Sequence, residues 1–267
     1  MTRLVRAELF KLRTTPGPWV VLAATLGFTA LGIVAAFLVS KGVVITRGGA
    51  VRRHLEFVAP TTVNRLRRLI GAGFEGGGVW MAAVIGVLGI TGEYRHKVMT
   101  TTLLAQPVRW RVLVAKSIAS VIWGLGLGIA SLVIVAAMGV PLFVSQGGAL
   151  SALSHQVGAV VPGLLGAFAL MALLGVGFGS LLQNQVASVL VVLGVALILE
   201  PIFDGLVPAA GRWLPSAAAA AVAGGSLATG TAHAQLLAWW LAVIVLVAWG
   251  LVPTVLGFFA TFSRDVT

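Results

Sequence analysis

The run VGAVVPGLLGAFALMALLGVGFGSLLQNQVASVLVVLGVALIL, residues 157–199, carries no charged side chain across its 43 positions. A helix crossing the roughly 30 Å hydrocarbon core of a bilayer needs about 20 apolar residues, so this run holds two crossings. The polar triplet Gln183-Asn184-Gln185 is the natural place for the chain to turn. That reading makes the protein an integral membrane chain with helices over 157–182 and 186–203. Outward from there, 19–39, 115–140 and 236–260 are further apolar segments of spanning length. The segment 74–92 is shorter and glycine-broken, with Glu75 and Glu93 near its ends. Six crossings in one transmembrane domain, residues 1–267, are expected.

Composition agrees. The chain is 59% hydrophobic and 9% charged, whereas a soluble domain carries roughly 25% charged residues. Its 34 glycines suit helices that approach closely in lipid. With no cysteine, disulfides, thiol catalysis and Cys-ligated metal are excluded. The net charge of +11 comes from short basic blocks between apolar runs, so the expected anionic partner is lipid headgroup and not nucleic acid. The first apolar segment has too long a core and no small-residue cleavage site for a signal peptide; it is read as a retained helix.

Lysine and arginine set the orientation. Arg3, Arg6, Lys11 and Arg13 precede the first span, and Arg95, Lys97, Arg109, Arg111 and Lys116 follow the second. With alternating spans these share one side with Arg264. The first loop opposes them with Lys41, Arg47, Arg52, Arg53, Arg65, Arg67 and Arg68. The arm before the first helix usually dominates, so both termini are expected in the cytoplasm.

Four places invite a functional reading. In the N-terminal arm, Val5, Leu9 and Leu12 follow helical spacing with Arg6 and Arg13 on the neighbouring arc. Such an arm suits an anionic membrane surface, although a plain basic flank fits the same charges. Residues 91–116 join the second and third spans. Val98, Leu103 and Leu104 are apolar in an otherwise polar stretch, and Thr100-Thr101-Thr102 can cap a short helix. Docking to another protein and a solvated basic connector both remain open there. Residues 208–226, alanine-rich around Trp213-Leu214-Pro215, read either as a surface loop or as a helix dipping into the membrane. Glu200 closes the fifth span, and an acid at that depth is a functional candidate unless it reaches water or pairs with Arg212. His54, His96, His155 and His233 are isolated, so no metal site is expected. No GxxxxGK[ST] loop, GxSxG elbow or kinase signature occurs, so no nucleotide-binding or catalytic residue is assigned.

Gly92-Glu93-Tyr94-Arg95-His96-Lys97, the following Thr-Thr-Thr-Leu-Leu-Ala, and Arg111-Val112-Leu113-Val114-Ala115-Lys116 resemble the cytoplasmic connection of ABC-2 type transporter permeases. The similarity is to the bacterial branch whose ATPase is a separate chain. Ala7-Glu8-Leu9-Phe10-Lys11-Leu12-Arg13 resembles that family's elbow helix. Arg212-Trp213-Leu214-Pro215-Ser216 through Gly224-Gly225 resembles its loop before the last span, and Arg264-Asp265-Val266 its usual end. The basic first loop departs from the family's pattern.

The resemblance implies an all-α integral membrane protein with six transmembrane helices. It adds an amphipathic elbow helix, a cytoplasmic coupling helix between helices 2 and 3, and a re-entrant or interfacial segment before helix 6. It implies a second permease subunit, identical or homologous, and a cytoplasmic ABC ATPase dimer that holds ATP and Mg, with no cofactor in this chain. Glu93, Tyr94, Arg95 and His96, with Thr100, Thr101, Thr102, Leu103 and Leu104, would couple to the ATPase. Trp80, Met81, Ile85, Val191 and Val195 would line the path, and Glu200, Trp213, Leu214 and Pro215 would form an outer gate. The expected role is ATP-driven export of an apolar or amphiphilic compound, such as a drug, antibiotic, lipid or peptide, across the bacterial plasma membrane. The rivals are a membrane interaction or regulatory protein that transports nothing and an ion-gradient-driven secondary transporter.

Overall fold

The computed structural model describes residues 1–40, 77–95, 108–145, 151–224 and 236–262. These are almost entirely helical, with no strand among the described residues. In chain order the helices are α1 (Thr2–Thr14), α2 (Pro16–Ser40), α3 (Val79–Arg95), α4 (Arg109–Ile134), α5 (Val140–Ser145), α6 (Ser151–Leu182), α7 (Gln185–Gly194), α8 (Glu200–Leu206), α9 (Pro208–Gly211), α10 (Pro215–Val222) and α11 (Trp239–Gly257).

Five helical stretches are long and apolar enough to cross a membrane: Pro16–Leu38, Arg109–Ser145, Val160–Leu182, Gln185–Leu206 and Trp239–Ala260. The expected sixth, α3, is not among these five; it is described over the 17 residues Val79–Arg95, about 26 Å of helix at 1.5 Å per residue, and the residues directly before 77 and after 95 lie outside the described ones. The apolar stretch that begins with α4 is longer than the expected 115–140 because its helix runs on past Pro141. A π turn over Val135–Gly139 makes that possible. Proline removes an N–H and its ring crowds the carbonyl four residues back, here Ala137, inside the turn. The same device recurs between α7 and α8, where the π turn Val195–Leu199 ends two residues before Pro201. In both places the helix widens and continues.

The central helix is α6, flanked by α3, α4, α10 and α11. Phe168, Met171, Ala172, Leu174 and Val176 on it are fully buried. Close approach rests on glycine. A methyl on Gly86 of α3 would collide with the Ala172 carbonyl, and one on Gly175 of α6 with the Ala83 carbonyl. Gly124 of α4 faces the Phe168 carbonyl in the same way, Gly128 faces the Leu165 and Phe168 side chains, and Gly179 faces Val87, so both small-xxx-small pairs lie at helix contacts. The turn expected at Gln183-Asn184-Gln185 is present: Gln183 takes φ 53°, and the Asn184 side chain accepts from the N–H groups of Val186 and Ala187 to cap α7.

Helix direction follows from cross-contacts. Lys11 of α1 meets Glu93 at the end of α3, which also meets Lys116 near the start of α4. Tyr94 meets Gln183 at the end of α6, and Gly257 at the end of α11 lies against Ser180. All of these lie at one end of the bundle, the arm end. Trp80 at the start of α3 instead meets Ser216 of α10, at the far end.

Candidate functional site

The arm does not simply rest on lipid. Its apolar stripe is where the spacing predicts, but α1 packs against α4, and it brings Glu8 and Leu12 into the interior. Arg3, Arg6, Phe10 and Arg13 face outward. Glu8 joins a cluster of four charges drawn from three helices. The Lys116 ammonium donates to Glu8 Oε2 at 2.8 Å and to the Gly89 carbonyl at 3.2 Å, and lies 2.9 Å from Glu93 Oε1. The Lys11 ammonium donates to Glu8 Oε1 at 2.8 Å and to Glu93 Oε1 at 2.7 Å. Two carboxylates and two ammoniums balance, which is how charges persist away from water.

Three members are deeply placed, with side-chain exposures of 11% for Glu8, 7% for Glu93 and 2% for Lys116. Lys11 keeps 47% of its side chain exposed and forms the wet edge of the cluster. Burial works against its charge, but the hydrogen bonds and charges of Glu8 and Glu93 outweigh that and hold its pKa above the ordinary 10.5.

Two neighbours of Glu93 extend the junction. Gln183 donates to the Tyr94 hydroxyl at 3.2 Å, and Arg95, exposed, donates to Gln185 Oε1 at 3.3 Å. The end of α3 is thereby tied to the arm, to α4, and to the turn between α6 and α7. Of the residues assigned to ATPase coupling, Glu93, Tyr94 and Arg95 stand together at this junction. Glu93 is buried there between the two lysines and faces the interior. His96, Thr100, Thr101, Thr102, Leu103 and Leu104 lie outside the described residues.

The five path residues are not brought to one surface. Ile85 is fully buried and Trp80 nearly so. Met81 and Val195 are partly buried against the core, and Val191 faces outward among the exposed apolar side chains of α7. At the far end, the gate residues surround a helix and not a surface loop. Most of α10 is buried, from Pro215 to Ala221, and it packs between α6 and α11. Its end crosses α6 at Gly163, where a methyl would collide with the Val222 carbonyl. Glu200, 4% exposed, accepts from the Ser216 N–H at 2.7 Å. Arg212 does not serve as its partner; its guanidinium lies 5.7 Å above the Trp213 ring. Trp249 Nε1 donates to the Trp213 carbonyl at 3.0 Å, and Leu214 is 9% exposed.

Sequence reasoning missed Glu8, Lys11 and Lys116 as one site, and missed Ser216. A signal existed for two of them. Glu8 is the one acid in a basic arm, and Lys116 lies seven residues inside a helix that then runs uncharged to residue 145. A lysine at that position calls for a buried partner. Among the described residues no group of three metal-binding side chains converges. Comparison with protein families, with curated proteins and with solved structures finds no match to this chain.

Proposed function

We propose that this chain is the permease subunit of an ATP-driven ABC exporter of the ABC-2 type, carrying an apolar or amphiphilic compound across a bacterial plasma membrane. In this reading α3 also crosses, second in chain order, and brings the count to six; the arm end is cytoplasmic, and a separate ATPase dimer binds there beside a second permease. The observation that carries the reading is the charge cluster. Residues 96–107 connect the end of α3 to the start of α4, and the cluster grips both helices close to those ends. A push on the connection by a partner therefore reaches the second span, the third span and the arm together. The far-end helix α10, seated between the fourth and sixth spans, suits an outer gate.

Affinity purification of the tagged chain from its native membrane tests this. An ATPase chain is expected to copurify and to hydrolyse ATP in the reconstituted complex. Recovery of this chain alone, from membranes in which the neighbouring genes are expressed, would instead favour the non-transporting reading.

A further inference from the structure

Helix α10 begins without a capping side chain of its own. Its N-cap is Leu214, which makes no side-chain cap hydrogen bond, and Pro215 follows at the first position. Proline has no N–H to satisfy, so the first donor needing a partner is the N–H of Ser216. Glu200 supplies it from a different helix, at 2.7 Å. A carboxylate at a helix N-terminus also meets the positive end of the helix dipole, so Glu200 acts as a cap in trans. The Ser216 hydroxyl in turn accepts from Trp80 Nε1 at 2.9 Å. One residue of α10 thus links α3 and α8.

After Ser216, α10 consists of five alanines and Val222. Alanine methyls bury little area, and apolar burial stabilises in proportion to area. No large side chain in that run wedges it between α6 and α11. The hydrogen bonds near its start carry a disproportionate share of its seating: the Ser216 N–H to Glu200, Trp80 Nε1 to the Ser216 hydroxyl, and Trp249 Nε1 to the Trp213 carbonyl.

We infer that Glu200 is a latch that holds α10 seated between α6 and α11, and that removing its carboxylate frees α10 while the rest of the bundle stays closed. This concerns the fold and stands whether or not an ATPase partner is found. The chain has no cysteine, so a single introduced thiol reports without background. Ala220→Cys probes α10 at a site 8% exposed, and Val176→Cys probes the centre of α6 at a site 0% exposed.

Each is labelled with a maleimide in the full-length protein in detergent. In the Glu200→Ala background, Ala220→Cys is expected to react roughly tenfold faster or more, as befits leaving the Ser216 N–H without its acceptor, while Val176→Cys stays protected. Glu200→Gln keeps a carbonyl that can accept from Ser216 and is expected to label more slowly than Glu200→Ala. Equal labelling of Ala220→Cys with and without Glu200 overturns the latch. Labelling of Val176→Cys in the Glu200→Ala background overturns it as well, since Glu200 would then hold the whole bundle.

Discussion

At the scale of single residues, the arm-end cluster makes sharp predictions because its members are unequally buried. Removing one partner of a buried ionic network leaves another charge uncompensated, which costs about 3–5 kcal/mol. Lys116→Met is therefore expected to lower stability by about that much, leaving Glu8 and Glu93 with Lys11 alone, and thermal unfolding in detergent measures it. A double-mutant cycle between Glu8→Gln and Lys116→Met should return a coupling of roughly 1–3 kcal/mol; additivity would mean the 2.8 Å contact contributes nothing. Lys11 sets the pH behaviour at the wet edge. Its folded pKa lies above the ordinary 10.5, so its contribution is fully present below that value and is lost as pH rises through the raised one. Arm docking is expected to hold throughout the neutral range and to weaken only in strong alkali, read by labelling Leu12→Cys. Arg95 is exposed, so Arg95→Ala should leave the melting temperature unchanged. Under the proposed function, it should still lower substrate-stimulated ATPase activity of the reconstituted complex by roughly fivefold or more. Glu93→Ala is a poor probe of docking, because it strips a carboxylate from two lysines.

At the scale of elements, glycine at the helix crossings and proline beside the π turns explain where helices touch and where they persist. A methyl at Gly86 or Gly175 meets backbone atoms of the opposing helix, which cannot swing away as a side-chain tip can. Gly175→Ala is expected to destabilise by about 3 kcal/mol, at the upper end of overpacking costs. A methyl at Gly126 on α4 would instead have nothing within 4 Å. Gly126→Ala should therefore be neutral or slightly stabilising, with helix propensity about 1 kcal/mol in its favour. Parallel thermal melts of the two variants compare a contact glycine with an exposed one. The spacing of Gly124 with Gly128 and of Gly175 with Gly179 is visible in the sequence. Which helix each pair faces is not, since a spacing of four defines a stripe but not its neighbour.

At the scale of the whole molecule, the bundle has an arm end and a far end, and the proposed topology puts them on opposite sides of a membrane. Arg6→Cys at the arm end and Gly205→Cys at the far end are both exposed positions. Membrane-impermeant maleimide applied to intact cells is expected to label only Gly205→Cys; labelling of both from outside would sink the six-crossing arrangement. By itself the sequence determined that this chain is helical and apolar enough to cross a membrane repeatedly, where five such helices lie, where α6 turns into α7, and that the arm has an apolar stripe. Those properties depend on local composition and period, which a bilayer reads one segment at a time. Only the tertiary structure decided that the stripe faces protein, that Glu8 and Lys116, 108 residues apart, form a buried ion pair, that residues 215–222 are packed inside, and that Glu200 caps them. An ion pair or a cap in trans needs two side chains to meet across helices, and that meeting is set by how the helices pack, which no single segment encodes.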